Sequence, residues 1–186
     1  MQLGIVGHND LAMAAYDRFV GAGYEVVRYE CANAITSLQT LEIFCKNMSV
    51  PRIIWIFLPE GQNRTNVLGE FGDKLDAGDL VIDVSECASR VSATMMTNFS
   101  LRYVGYLELD LDCGQYQVGE TSGTAIVNGS SDYFEMALES LEIMCSPAKP
   151  IHIFDQVGLG RPENLVRAAL GAWPDVPEVL GGSSPG

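Results

Sequence analysis

Gln2-Leu-Gly-Ile-Val-Gly-His-Asn-Asp-Leu-Ala-Met13 reads as an apolar strand over residues 2–6 that passes through a tight turn into a helix. The helix spans about Asn9 or Asp10 to Val20, with Leu11, Ala15 and Phe19 on one face and Gly21 and Gly23 ending it. A strand, a glycine turn and a helix in direct succession can cradle the diphosphate of a dinucleotide. Such a cradle calls for glycine at three places: one for the turn, one for close backbone approach to the diphosphate, and one for packing helix on strand. Here the three places hold Gly7, Asn9 and Ala12. Gly7 is intact and Ala12 is small enough, but Asn9 sets a side chain where the diphosphate would lie against bare backbone. Taken alone, the stretch also suits an ordinary strand-turn-helix with a chance glycine, since a partial fingerprint is weak evidence.

Outward from this unit, strand and helix patterns alternate with short joins, as βαβ units in a parallel sheet require. Strands are predicted over 24–30, 51–59, 78–83, 101–109, 123–128 and 151–154. Between them fall helices over 35–47, 63–76 and 89–98, one following Ser130 or Ser131, and a last one from Glu163 to about Leu170. The helix after Ser131 carries Asp132 and Glu135 in its first turn and turns Phe134, Ala137, Leu138 and Leu141 inward. Pro51 to Pro59 is almost continuously apolar, which fits a strand covered on both faces. The expected fold is therefore α/β and Rossmann-like, a doubly wound, mostly parallel sheet with helices on both faces, over residues 1–170. Residues 171–186 form an extension whose end, Gly181-Gly-Ser-Ser-Pro-Gly186, has the composition of a flexible linker. Glu30 closes the second strand 18 residues after Ala12, near the offset of roughly 20 at which an acid binds the adenosine ribose hydroxyls. An acid there favours NAD over NADP, though a solvated glutamate at a strand end is the plainer reading.

Composition narrows the function classes. The 186 residues carry 11 basic and 24 acidic side chains, a net charge of −13. That surface repels phosphate backbones and shows no basic patch, so nucleic acid is not an expected partner. No window approaches ~18 unbroken apolar residues, so no membrane span is expected, and residues 2–6 are too short for a signal peptide. The five cysteines, Cys31, Cys45, Cys87, Cys113 and Cys145, are odd in number and widely spaced. They read as reduced thiols in a cytoplasmic protein.

Several stretches together resemble the N-terminal cofactor domain of 6-phosphogluconate dehydrogenases and the wider 3-hydroxyacid dehydrogenase family. They are Met1 to Gly7, Gly23-Tyr-Glu-Val-Val27, Pro51-Arg-Ile-Ile-Trp55 with Leu58-Pro-Glu-Gly61, Gly78-Asp-Leu-Val-Ile-Asp83, and Gly158-Leu-Gly160 after Ile151-His152. The resemblance spans nearly all of residues 1–170 and implies NAD or NADP as cofactor. The cofactor-binding set is then Gly7, His8, Asn9, Ala12, Glu30, Leu58 and Pro59. The family's catalytic residues do not carry over. Its Gly-Gly-Asn-Ser loop for substrate and nicotinamide corresponds to Val84, Ser85, Glu86 and Cys87. Its next loop, Gly-Thr-Ser-Gly-Gly, corresponds to Asp112, Cys113, Gly114, Gln115 and Tyr116. The catalytic lysine falls at Asn164 and the following asparagine at Ala168, and Asn164 cannot act as a general base. The family's all-helical second domain is not expected within these 186 residues. The resemblance thus implies a cofactor-binding fold that is not a competent sugar-acid dehydrogenase.

Other chemistry in the same cleft is the alternative. In an open α/β sheet, ligands bind beyond the carboxyl ends of the strands, and those ends carry His8, Asn9, Asp83, Glu86, Cys87, Asp110, Asp112 and Cys113. If Glu86 and Asp112 converge, repulsion and partial burial raise one pKa and leave an acid/base pair for an isomerase, cyclase or lyase acting on a small molecule. Cys87 is a candidate nucleophile only with a base such as His8 to activate it. No ligand spacing recommends a metal site. Solvated loop acids are the plain alternative to all of these. A third reading is a binding or scaffold protein. Leu165, Val166, Leu170, Trp173, Val176, Val179 and Leu180 would give it an apolar edge for a homo-oligomer or partner chain, unless they fold back on their own domain.

Overall fold

The computed structural model describes residues 2–29, 38–58, 62–85, 90–111, 125–129, 131–145 and 151–154. Seven strands form one sheet: β1 (Gln2–Val6), β2 (Glu25–Tyr29), β3 (Ile53–Ile56), β4 (Leu80–Ser85), β5 (Gly105–Leu111), β6 (Ala125–Gly129) and β7 (Ile151–Phe154). Their order is β2-β1-β3-β4-β5-β6-β7. The first five run parallel, whereas β6 pairs antiparallel with β5 and β7 runs parallel to β6. Among the described residues five α-helices accompany them: α1 (Asp10–Gly21), α2 (Leu38–Lys46), α3 (Gln62–Gly72), α4 (Arg90–Ser100) and α5 (Phe134–Cys145). The expected α/β class and the wrapping of both faces hold.

Side chains alternate across the sheet, and each face has its own apolar layer. On one face Ala12, Ala15 and Phe19 of α1 and Phe134, Ala137, Leu141 and Met144 of α5 pack on Leu3, Ile5, Trp55, Ile82 and Leu107. On the other, Leu41 and Phe44 of α2, Leu68 and Phe71 of α3, and Met95 and Phe99 of α4 pack on Val6, Ile54, Ile56, Val81 and Tyr106. All of β3 is buried, as its unbroken apolar run requires. Trp55, wholly buried, lies 5.3 Å from the Phe19 ring and stacks near Phe57. Burying an aromatic side chain of this kind contributes roughly 1.5–3 kcal/mol.

Local bonding moves several boundaries from their sequence-based positions. Helix α3 ends at Gly72 and not at 76, where the Asp73 and Lys74 N–H groups bond only three residues back, to Glu70 O and Phe71 O. Strand β4 extends past Asp83 to Ser85, since Val84 and Ser85 pair with Leu109 and Asp110. The strand predicted from 101 begins only at Gly105, since α4 runs on to Ser100 and Tyr103 then takes a left-handed φ of 59°. Leu138 is 43% exposed and not on the inward face of α5; Ser140, Met144 and Cys145 are buried there. Cys45 and Cys145 are both buried, and burial pushes the Cys45 thiol up to about 11, far from reactivity. Glu30, Pro59, Glu86, Cys87, Asp112, Cys113, Asn164, Ala168, the helix over 163–170 and the extension 171–186 lie outside the described residues.

Candidate functional site

The chain leaves β1 toward β2 through α1 and leaves β3 toward β4 through α3, on opposite faces of the sheet. The carboxyl ends of the neighbouring strands β1 and β3 therefore bound the crevice where the winding reverses, the usual ligand position in an open α/β sheet. Gly7 sits on its floor. Its N–H donates to Tyr29 O at 3.0 Å, and the adjoining Phe57 N–H donates to Val6 O at 2.8 Å. Gly7 has φ +129°, and a Cβ there would stand 2.5 Å from Phe57 O. Only glycine suits both the backbone conformation and the contact, so the turn brings backbone to where a side chain would block it.

Of the residues expected to bind cofactor, Gly7, His8, Asn9, Ala12 and Leu58 are described; the first four follow the end of β1 into α1, and Leu58 follows the end of β3. His8, Asn9 and Asp10 are exposed, whereas Ala12 is buried against the sheet. Asn9 is the N-cap of α1, its Oδ1 accepting from the Ala12 N–H at 2.9 Å. The amides of Asp10 and Leu11 precede the first intrahelical bond, from Met13 N–H to Asn9 O, and such amides suit an anion. Leu58, half-buried, follows β3 and packs against the α2–α4 layer. A glycine floor and a helix N-terminus fit the diphosphate of a dinucleotide; the Asn9 side chain is the one element that does not.

Asp83 is not the cleft-facing acid expected from its place near the end of β4. It is fully buried on the α2–α4 face, where its register partner Glu108 and that residue's partner Asn128 follow on β5 and β6. Arg64, from the first turn of α3, reaches in and donates Nε to Asp83 Oδ1 at 3.2 Å and Nη2 to Oδ2 at 2.5 Å. Tyr106 OH donates to the same Oδ2 at 2.6 Å, and Glu108 Oε1 lies 3.9 Å from Arg64 Nη2. All five residues are buried, and Asn128 Oδ1 lacks a hydrogen-bond partner among the described residues. A guanidinium fork held between carboxylates is the charge-assisted geometry that survives burial. Nothing in the polar composition of Gln62-Asn-Arg-Thr-Asn66 reveals that Arg64 turns inward. The legible signal was an acid at Asp83 and another at Glu108, each set among apolar strand residues.

The Tyr106 phenol is pushed well above its ordinary value, first by burial and then by the charge of Asp83. The folded protein thus holds that proton more tightly than the unfolded chain, whose tyrosines titrate near pH ~10. Stability from this group is complete below about pH 10 and is lost as the pH rises further, by up to ~1.4 kcal/mol per pH unit. Urea midpoints measured between about pH 8 and 11 are expected to fall less steeply in Tyr106→Phe than in the wild type.

Among the described residues no group of acids, histidines and cysteines is placed to hold a metal, and no helix is long and apolar enough to cross a membrane. A doubly wound sheet with a glycine turn at its reversal defines a Rossmann-like dinucleotide-binding domain. The chain belongs to the family of the NAD binding domain of 6-phosphogluconate dehydrogenase, whose family model matches residues 4–158. No curated protein sequence matches it. Among solved structures, an imine reductase from Myxococcus stipitatus in complex with NADP+ is similar at 16% identity and a TM-score of 0.69, covering 92% of this chain and 60% of that one. The imine reductase BcSIRED from Bacillus cereus BAG3X2 gives 12% identity and a TM-score of 0.67, covering 92% and 59%. The Streptomyces aurantiacus imine reductase gives 12% and 0.65, covering 92% and 62%. The chain spans about three fifths of the length of these structures.

Proposed function

We propose that this chain binds a nicotinamide dinucleotide, NAD(H) or NADP(H), at the β1–β3 crevice without carrying out the sugar-acid oxidation of 6-phosphogluconate dehydrogenases. The observation that carries the reading is the Gly7 turn. Its positive φ and its 2.5 Å approach to the Phe57 carbonyl keep the crevice floor free of side chains beside the α1 amides. Kinship with the NAD binding domain, and a neighbour in complex with NADP+, support the choice of ligand. A bound dinucleotide would supply a nicotinamide ring for hydride exchange; the chain's part is to hold it. The loss of catalysis rests on the sequence: Asn164 and Ala168 stand where the family has its lysine and asparagine, and an amide cannot take up the proton that a general base removes.

Thermal unfolding with NAD, NADH, NADP and NADPH tests the binding. At 100 times its dissociation constant a ligand adds ~2.7 kcal/mol, or about 5–10 °C for a chain of this size. A rise with at least one of the four is expected, together with no turnover of 6-phosphogluconate. An unchanged midpoint with all four would refute the binding, and measurable turnover would refute the loss of catalysis.

A further inference from the structure

Charges buried away from water have to balance, because an uncompensated one is costly. The polar layer under α3 holds two carboxyl groups, Asp83 and Glu108, and the cation that the described residues place beside both is Arg64. Asp83 takes both arms of the guanidinium fork together with the Tyr106 hydroxyl. Three donors on one carboxylate favour its ionised form. Glu108 Oε1 stands 3.9 Å from the same Nη2, beyond hydrogen-bond reach. With both carboxyls ionised, this layer would set two negative charges against one positive.

The adjoining strand offers a place for one more proton. Asn128 of β6 is the antiparallel register partner of Glu108, so the two stand directly opposite each other on one face of the sheet. Asn128 is only 3% exposed, and its Oδ1 meets no donor among the described residues. An ionised glutamate is an acceptor only and leaves that oxygen unanswered, whereas the acid has an O–H to give. We propose that Glu108 is a neutral carboxylic acid in the folded protein at pH 7 and donates its proton to Asn128 Oδ1. The proton removes the excess negative charge and supplies the orphaned acceptor in one step. The groups around Glu108 agree with this. Its register partner Asp83 on β4 repels an ionised neighbour, Arg64 from α3 is committed to Asp83, and Tyr106 on β5 gives its own proton to Asp83. Asp110 stands two positions on along β5, and α4 brings the apolar Met95 and Phe99 to this face. The arrangement is a pH-sensitive latch. Stripping the Glu108 proton frees a second carboxylate to compete for Arg64, and so loosens the tie between α3 and β4. The unfolded chain gives up this proton near pH ~4.3. Stability from it is therefore complete below that pH and is lost as the pH rises, until the folded-state group itself ionises.

Infrared spectra of the full chain at pH 7, joined with urea unfolding between about pH 5 and 7, decide the matter. Solvated carboxyls are ionised at pH 7, so the expected result is a protonated-carboxyl carbonyl band in the wild type that is absent from Glu108→Gln. Asn128→Leu, which removes the acceptor, should shift that band to higher frequency. Glutamine keeps the shape and offers an N–H to Asn128 but has no proton to lose. The folding constant of the wild type should therefore fall about tenfold per pH unit relative to that of Glu108→Gln. A wild-type spectrum without the band would overturn the proposal, and this reading stands even where a variant does not fold. A band that persists in Glu108→Gln would place the proton on another carboxyl and overturn it equally, as would a ratio of folding constants that does not change with pH.

Discussion

Arg64→Met is expected to lower the stability of the fold by about 3–5 kcal/mol, because it removes the cation paired with a wholly buried carboxylate. Asp83 receives both arms of the Arg64 fork and the Tyr106 hydroxyl, and Glu108 stands 3.9 Å from the same guanidinium. Methionine fills much the same volume as the arginine stem, so the loss is electrostatic and not a cavity. A domain of ordinary stability has only about 5–15 kcal/mol in total, so the variant sits close to the unfolding threshold. Replacing both ends, as Arg64→Met with Asp83→Leu, should recover part of the loss, since a buried pair is often no better than an apolar one of similar volume, while Glu108 and the Tyr106 hydroxyl remain buried without these partners. Urea unfolding followed by circular dichroism reads both differences. A single variant as stable as the wild type would show that Asp83 does not depend on Arg64.

Gly7→Ala is the second large effect. The left-handed backbone alone costs an alanine about 1–3 kcal/mol, and its Cβ would press on the Phe57 carbonyl at 2.5 Å. Since Phe57 belongs to the backbone ladder through its bond to Val6 O, relief requires shifting β1 against β3, which brings the total to roughly 2–5 kcal/mol. The same shift closes the crevice floor. Chemical denaturation should show the loss of stability, and NADH titration of the surviving folded fraction should show weaker binding than in the wild type. An alanine variant with unchanged stability and affinity would mean that the turn tolerates a side chain.

The loop was legible because its signals are local. Gly7 marks the tight turn and Ala12 a close packing of α1 on the sheet, whereas the capping role of Asn9 emerges only from the fold. The strands were legible because burial on both faces leaves unbroken apolar runs such as Ile53 to Ile56. The polar network was not, because burial of Arg64 is decided by residues far along the chain: Asp83 is 19 positions away and Glu108 lies two strands on. A polar first turn such as that of α3 looks solvated until the sheet that receives it is known. For the same reason the sequence alone points Asp83 to the cleft and Leu138 to the core, whereas the fold buries the first and exposes the second. Period and composition tell which residues share a face, and the sheet order decides what that face meets.

The sheet's two coats should record sequence change at different tempos. The α1–α5 side is held mostly by undirected packing around small residues, Ala12, Ala15 and Ala137, with a directional tie from the Arg18 guanidinium to the Ile143 carbonyl at 2.9 Å, and within that packing one aliphatic residue can stand in for another at modest cost. The α2–α4 side is pinned near the crevice by directional bonds among Arg64, Asp83 and Tyr106, where a change at one member strands the others. Substitutions would accumulate singly on the first coat and only as coordinated pairs on the second. The crevice would then keep one rigid flank while the other drifted.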